Sequence, residues 1–474
     1  MSSLPITSEQ LAASPPEFRA LLQTVIDYYE GRIAQLEGRI AELESRLGKT
    51  PQNSSLPPSS RHPHAKGAAG KAKSKKKRGG QLGHARHERP LLPTQDCDDV
   101  ESLKPSECRR CGMKLSGRDR EPLRHQVWEV PSIEPHVTEY QRHRLRCSSC
   151  GATTCATLPP GVPTGQAGPR LIALTALLMG CFRQSKSRTA LFLSTVLGQP
   201  CSTGWVVKLQ NQATGALRGA YNELAAQLPR QPVLGIDETP TQEGPAKSWL
   251  GTYVAAAFTL FAVRPSRAAS GVTDLLGPSF EGVVHCDRAR MYWSLSRLQG
   301  CWAHLKRDFQ ALADDGRGKV KRLGRDLLRP TRQMFRLWAR YRDGTVSRPG
   351  FKRLMHPVRQ EIDALLLRGA FGGEKRIVGM CNELYDHRTR LWTFLDVEGV
   401  EPTNNASERA LRHAVIWRKL SFGTQSAAGS RFVETILTVI ETCRQQQRPL
   451  FPYLVEAIEA RRLGKPCPSL LPRA

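Results

Sequence analysis

Residues 233–240 read VLGIDETP, an apolar run that ends on two adjacent acids. Val233, Leu234 and Ile236 have the character of a buried strand, and Thr239-Pro240 closes it, so Asp237 and Glu238 stand at its end. A carboxylate there is costly unless a cation meets it. A later stretch repeats the pattern: within GVVHCDRARMYW, Val283 and Val284 run into Asp287, far enough beyond Asp237 for a hairpin and a crossover helix to intervene. A third acid, Glu408 in PTNNASERALRHAVIWRK, falls at the start of a predicted helix. Asn405 with Glu408 also fits a capping box, and a first-turn Glu suits the helix dipole, so a purely local role stands beside a catalytic one. Three carboxylates meeting in one cleft repel each other and call for divalent metal; oxygen-only donors point to Mg²⁺ or Mn²⁺ rather than zinc. Two such ions can activate a water or a 3′-hydroxyl and stabilise the leaving oxygen of a phosphodiester.

GIDETP, HCDRARMYW, CWAHLKRDF and TNNASERALR follow one another in that order. RKLSFGTQSAAGS and PYL come after them, and PQNSSLPPSS and two cysteine pairs come before. In these motifs the chain resembles the DDE transposases of the insertion-sequence sixty-six family over nearly its whole length. The resemblance implies an RNase H-like catalytic core in which Asp237, Asp287 and Glu408 are the catalytic triad that binds two Mg²⁺ or Mn²⁺ ions. Accessory proteins from the same element are typical of the family. Two positions depart from its pattern: Arg288 stands where Gly is usual, and Thr403 where Asp is usual. Neither belongs to the triad, although Arg288 bears on the charge around it.

At 474 residues the chain has room for roughly three domains of about 150 residues each. Its 70 Lys+Arg against 43 Asp+Glu give a net charge of +27, which favours a polyanionic partner such as DNA. No apolar run reaches the roughly 18 residues of a membrane span, and the N-terminus lacks the basic and apolar regions of a secretory signal. The expectation is a cytoplasmic, nucleoid-associated bacterial protein whose 13 cysteines are reduced thiols or metal ligands.

The expected fold class is multidomain α+β: an N-terminal coiled-coil helix, a small zinc-binding β module, a helical region of helix-turn-helix type, and an RNase H-like α/β core with an all-helical insertion. Residues 18–47 carry a heptad, with Leu22, Tyr29, Leu36 and Leu43 at one core position and Ile26, Ile33, Ile40 and Leu47 at the other. Arginines at g face glutamates at e, which predicts a homodimer or a higher oligomer. Residues 48–90 are rich in Pro, Ser, Gly and Lys, a basic linker in which Lys75, Lys76, Lys77 and Arg78 are candidate phosphate contacts. In 91–165, Cys108-x-x-Cys111 and Cys147-x-x-Cys150 have the spacing of a structural Cys₄ zinc site, with Cys155 and His143 as substitute ligands. VWEVPSIEPHVTEYQRHRLR between the pairs reads as two alternating strands.

Residues 166–228 give helices around a Gly198-Gln-Pro turn, the outline of a helix-turn-helix that would offer Thr203 and Lys208 to DNA; a plain helical pair supporting the core fits equally well. The core begins at 229–316, with strand, strand, strand, helix, strand, and then the helix CWAHLKRDFQALADD, whose Cys301 and His304 share a face. For that pair, packing beside the active site is the expectation and a zinc pair the alternative. Residues 317–400 show only helical periodicity and form the insertion. The core resumes over 401–460, where Arg409, Arg412, Arg418 and Lys419 follow Glu408 as candidate DNA-backbone contacts, GTQSAAGS reads as a loop, and 461–474 is a tail.

The function these features point to is a DNA transposase that binds transposon terminal repeats, cleaves them and joins the freed 3′-hydroxyl to target DNA. A catalytically silent DNA-binding regulator and an RNase H-type nuclease or resolvase are the alternatives.

Overall fold

The computed structural model describes residues 13, 15–47, 83–84, 89–315, 318–372 and 375–472. Those within Met1–Arg61, Thr138–Thr195 and Gln199–Ala474 pack as one unit, and those within His62–Val137 and Val196–Gly198 as another. Lys75, Lys76, Lys77, Arg78 and the side chains of Leu43 and Leu47 lie outside the described residues. None of the described helices is long and apolar enough to cross a membrane.

The heptad segment is helical, α1 (Pro16–Leu47). Its core-position residues Tyr29, Ile33, Leu36 and Ile40 are each more than half exposed.

The two cysteine knuckles fall in different units, and each is the same local turn. The Cys108 amide donates to the Met113 carbonyl and the Gly112 amide to that of Cys108, both at 2.9 Å. The Cys147 amide donates to Ala152 at 2.8 Å and the Gly151 amide to Cys147 at 2.9 Å. Gly112 and Gly151 turn the chain at φ +73° and +71°, a region glycine enters without a Cβ clash. Strands β1 (Arg144–Arg146) and β2 (Thr153–Cys155) flank the second knuckle as an antiparallel pair. The expectation of two strands across 127–146 is corrected here: only its last three residues pair. Val127, Val130 and Val137 are 73–81% exposed, so the alternation has no core to face, and Pro131 and Pro135 each remove a ladder donor.

Helices α2 (Pro169–Gly180), α3 (Lys186–Val196) and α4 (Thr203–Gln227) come next. The Ser202 hydroxyl caps α4 by accepting the Trp205 amide. One face of α4, from Val206 through Leu209, Ala213, Leu217 and Leu224, is buried in the main core against α2 and α12 (Ala427–Gln445).

The central sheet has five strands: β3 (Val233–Glu243), β4 (Ala246–Val254), β5 (Thr259–Arg264), β6 (Val283–Cys286) and β7 (Leu298–Gly300). Its order is β5-β4-β3-β6-β7. β3, β4 and β5 form an antiparallel meander, while β6 runs parallel to β3 and β7 parallel to β6. Helix α5 (Ser270–Leu276) makes the crossover into β6. The three-residue strand β7 has no counterpart in the sequence reading.

Beyond the sheet lie α6 (Trp302–Ala313), α7 (Gly318–Arg342), α8 (Arg348–Ala370), α9 (Lys375–Asp386) and the short α10 (Thr393–Asp396). With Val283 of β6 they bury a second hydrophobic cluster around Trp302, Phe309, Phe351, Trp392 and Phe394. The chain then returns to the sheet through α11 (Asn405–Ser421), α12 and α13 (Leu450–Arg462). GTQSAAGS is shorter as a loop than its composition indicates, because the Ser426 hydroxyl accepts the Gly429 amide and starts α12 at Ala427.

Helix α12 also closes the sheet. The free edge of β5 directs amides of Thr259, Phe261 and Val263 outward, and side chains of Thr442, Thr438 and Glu434 accept them at 3.2, 2.9 and 3.1 Å. Four helical residues rise about 6 Å, close to the advance of two strand residues. Acceptors spaced by four on the helix therefore match donors spaced by two on the strand, and the edge is satisfied without another strand.

Candidate active site

The two aspartates are brought level by strand register. β3 and β6 pair in parallel from Val233↔Val283 to Gly235↔His285, so a further step of the pleat sets Asp237 beside Asp287. Both stand where parallel neighbours run out at their carboxyl ends, a usual place for ligands in α/β sheets. The Asp287 carboxylate is fixed by the Ala289 amide at 2.8 Å, and that of Asp237 by the Glu238 amide at 2.9 Å.

Glu408 approaches from α11, near enough for its charge to act on Asp237. The N-cap of α11 is Asn404, and its side chain caps nothing. Its Nδ2 donates instead to the Ile236 carbonyl on β3 at 2.7 Å, and its backbone amide donates to Cys301 Sγ at 3.3 Å. Asn404 thus ties the third acid's helix to the first acid's strand and to the start of α6, and the capping box centred on Asn405 does not form. Gly235 lets the helix come this close: a Cβ there would lie 2.3 Å from Ser407 Oγ and 2.9 Å from Asn404 Oδ1.

Electrostatics register the convergence. The Asp237 carboxyl is pushed up from 3.8 to about 8, first by burial, then by Glu238 and Asp287, with Glu408 adding to the same effect and the Glu238 amide opposing it. Asp287 and Glu408, from distant parts of the chain, therefore both act on the buried Asp237 carboxyl.

The adjacent acids of GIDETP have separate surroundings. Glu238 is nearly buried and taken up by Arg267, whose Nε lies 2.6 Å away, and by the Tyr292 hydroxyl. Arg267 extends to 3.7 Å from Asp287 and lies over the Trp249 ring. Arg288 turns away from the aspartates, donating to Asp308 at 2.7 Å and Glu383 at 3.0 Å, and so links the Asp287 loop to α6 and α9.

Glu408 itself faces α6, with one carboxylate oxygen 3.4 Å from Arg307 and 3.7 Å from His304 Nδ1. Among the described residues, the one set of three metal-ligating side chains whose ligand atoms all lie within 4.8 Å of one another is Cys301, His304 and Glu408. Asp237, Asp287 and Glu408 do not close to that distance as a set.

Arg267, Asn404, Tyr292 and Arg307 escaped the sequence reading. Tyr292 and Asn404 sit inside motifs quoted for other residues, and Arg267 lies in SRAAS, which carries no signal. Of the candidate DNA contacts, Arg409, Arg412 and Lys419 are exposed on α11 and Arg418 is half-buried, while Thr203 and Lys208 are exposed on the first turns of α4. Cys155 closes β2 and His143 precedes β1, on the hairpin that carries the second knuckle.

Residues 164–431, more than half of the chain, match the family model described as Transposase IS66 family. The chain belongs to that family. The match to the IS66 transposases takes in all three acids, the strands that carry the aspartates and the helix that carries Glu408. Residues 6–90 match a family of unknown function, DUF6444. Over 213 residues the chain is 24% identical to "Uncharacterized protein y4qI" of Sinorhizobium fredii, covering 40% of this chain and 38% of that protein.

Proposed function

We propose that this chain is a DNA transposase in which Asp237, Asp287 and Glu408 form one polynucleotidyl-transfer centre. The observation that carries the reading is the coupling of Asp237 to both distant acids, together with the register that sets it beside Asp287. The sheet order β5-β4-β3-β6-β7, with β3 antiparallel to β4 and parallel to β6, supports reading this part of the chain as an RNase H-like core.

The donor set suits hard divalent ions: carboxylate oxygens alone, in a pocket where they repel one another, favour Mg²⁺ or Mn²⁺. When bound there, such ions supply activation of the attacking oxygen and charge stabilisation at the scissile phosphate. The chain's own part is to hold the carboxylates in register, through the β3–β6 ladder for the aspartates and through Asn404 for Glu408. Arg267 offers a cation at the rim, and the exposed Arg409 and Arg412 offer backbone contacts to DNA. Water attacks the phosphodiester at the element's end, and the 3′-hydroxyl set free attacks target DNA in turn.

Around this centre the exposed heptad face of α1 pairs subunits. Each knuckle is read as a pair of zinc-ligating thiols, Cys108 with Cys111 and Cys147 with Cys150. In each, backbone amides and the second cysteine lower the first thiol's pKa, which favours the thiolate that metal requires. The test is strand transfer on labelled terminal DNA with Mg²⁺. Asp287→Ala should lose at least about 10²-fold, more than a change beside a metal ligand costs, and joining at the wild-type rate would remove the assignment.

A further inference from the structure

Cys301, His304 and Glu408 come from two elements and meet at the first turn of α6. Cys301 is its N-cap and 2% exposed, and His304 lies one turn on. The backbone amide of Asn404 points at Cys301 Sγ from 3.3 Å, the kind of bond that supports a metal-bound thiolate. The Nδ1 atom of His304 is buried without a hydrogen-bond partner and lies 3.7 Å from Glu408. Nitrogen and oxygen bonds of about 2.0–2.2 Å in a tetrahedral site put those ligand atoms roughly 3.3–3.5 Å apart, so the histidine–glutamate edge is within a few tenths of an ångström of the required length. The site combines sulfur, nitrogen and oxygen, a donor set that selects borderline ions such as Zn²⁺ over Mg²⁺.

We propose that Cys301, His304 and Glu408 form a second metal site, selective for a thiophilic divalent cation of the Zn²⁺ class, and that filling it holds Glu408 against α6, apart from the two aspartates. Binding releases the Cys301 thiol proton to solvent and forms a sulfur–metal bond; no electrons are transferred. Arg307 neutralises Glu408 in the metal-free chain and is displaced as the ion enters. The site would act as a brake on transposition, because a single carboxylate serves two sets of ligands with opposite preferences. The inhibitory part rests on the assignment of Glu408 to the catalytic triad; the binding part does not.

The experiment titrates the full-length apoprotein with Co²⁺, a spectroscopic stand-in for zinc, and follows thiolate-to-cobalt absorption. Cys301→Ala and His304→Ala are compared with wild type, with circular dichroism confirming that each is folded. Each variant should lose one Co²⁺ per chain, and Cys301→Ala should also lose the absorption of one thiolate, while the knuckle cysteines contribute equally to all three proteins. Equal stoichiometry and equal spectra would overturn the site. In parallel, Zn²⁺ added to a Mg²⁺ strand-transfer reaction should suppress joining by wild type and spare Cys301→Ala, and equal suppression of both would overturn the brake. If Co²⁺ binds as expected but Asp287→Ala joins DNA normally, the triad fails and the metal site stands. If joining requires Asp287 but no Co²⁺ is lost, the reverse holds.

Discussion

Asp237 holds its proton to about pH 8 in the metal-free chain, against a usual value of 3.8. Between those values the folded state binds more protons than the unfolded state, so stability falls as pH rises through that window. Chemical denaturation of metal-free protein from about pH 5 to about pH 8 should show that decline, and Asp237→Asn should flatten it. Mg²⁺ should raise the melting temperature more at the alkaline end, where the carboxyl is free to ligate; equal gains across the range would count against a metal role for this residue. Gly235 makes a second residue-scale case. A methyl group there meets Ser407 and Asn404, and overpacking of this kind costs about 1–3 kcal/mol. Gly235→Ala should lower the melting temperature and, by moving α11 by something near an ångström, cut strand transfer by about 10²-fold. Unchanged joining would mean that the approach of α11 to β3 does not matter to the chemistry.

Among the elements, those with strong periodicity were legible from sequence: α1, α4, the β3–β5 meander, α5 and the run of helices from α6 to α9 all follow their apolar spacing. The failures have physical causes. β7 is three residues long and is defined by its neighbour β6 rather than by its own composition. The alternating stretch at 127–143 has the right period and nothing to bury against. The start of α11 departs from its capping signal because Asn404 spends its side chain on the Ile236 carbonyl, a tertiary bond that no local rule anticipates. Helix α11 also presents Arg409 and Arg412 outward while Ala410, Leu411 and Ala414 face the core. Replacing both arginines by Gln should weaken DNA binding uniformly across sequences and reduce the salt slope by about two, one for each phosphate no longer neutralised. An unchanged slope would place the DNA elsewhere.

At the scale of the whole molecule, the acids sit on elements that the chain separates widely and the fold reunites. The meander and the α5 crossover bring Asp287 back beside Asp237, and a helical block packed around Trp302 and Phe351 intervenes before α11 returns Glu408. The three acid-bearing motifs could be read from sequence because their chemistry is local. Their closeness could not, since it depends on the β3–β6 register, on the missing Cβ of Gly235 and on Asn404. The same long-range packing turns Glu408 toward His304 and Arg307. The most direct measurement is a crystal structure of the protein on terminal DNA with Mn²⁺, read by anomalous scattering. The expected result is manganese ligated by Asp237, Asp287 and Glu408 at the scissile phosphate. Manganese bound elsewhere, with Glu408 still held by His304 and Arg307, would contradict a single catalytic centre built from these three acids.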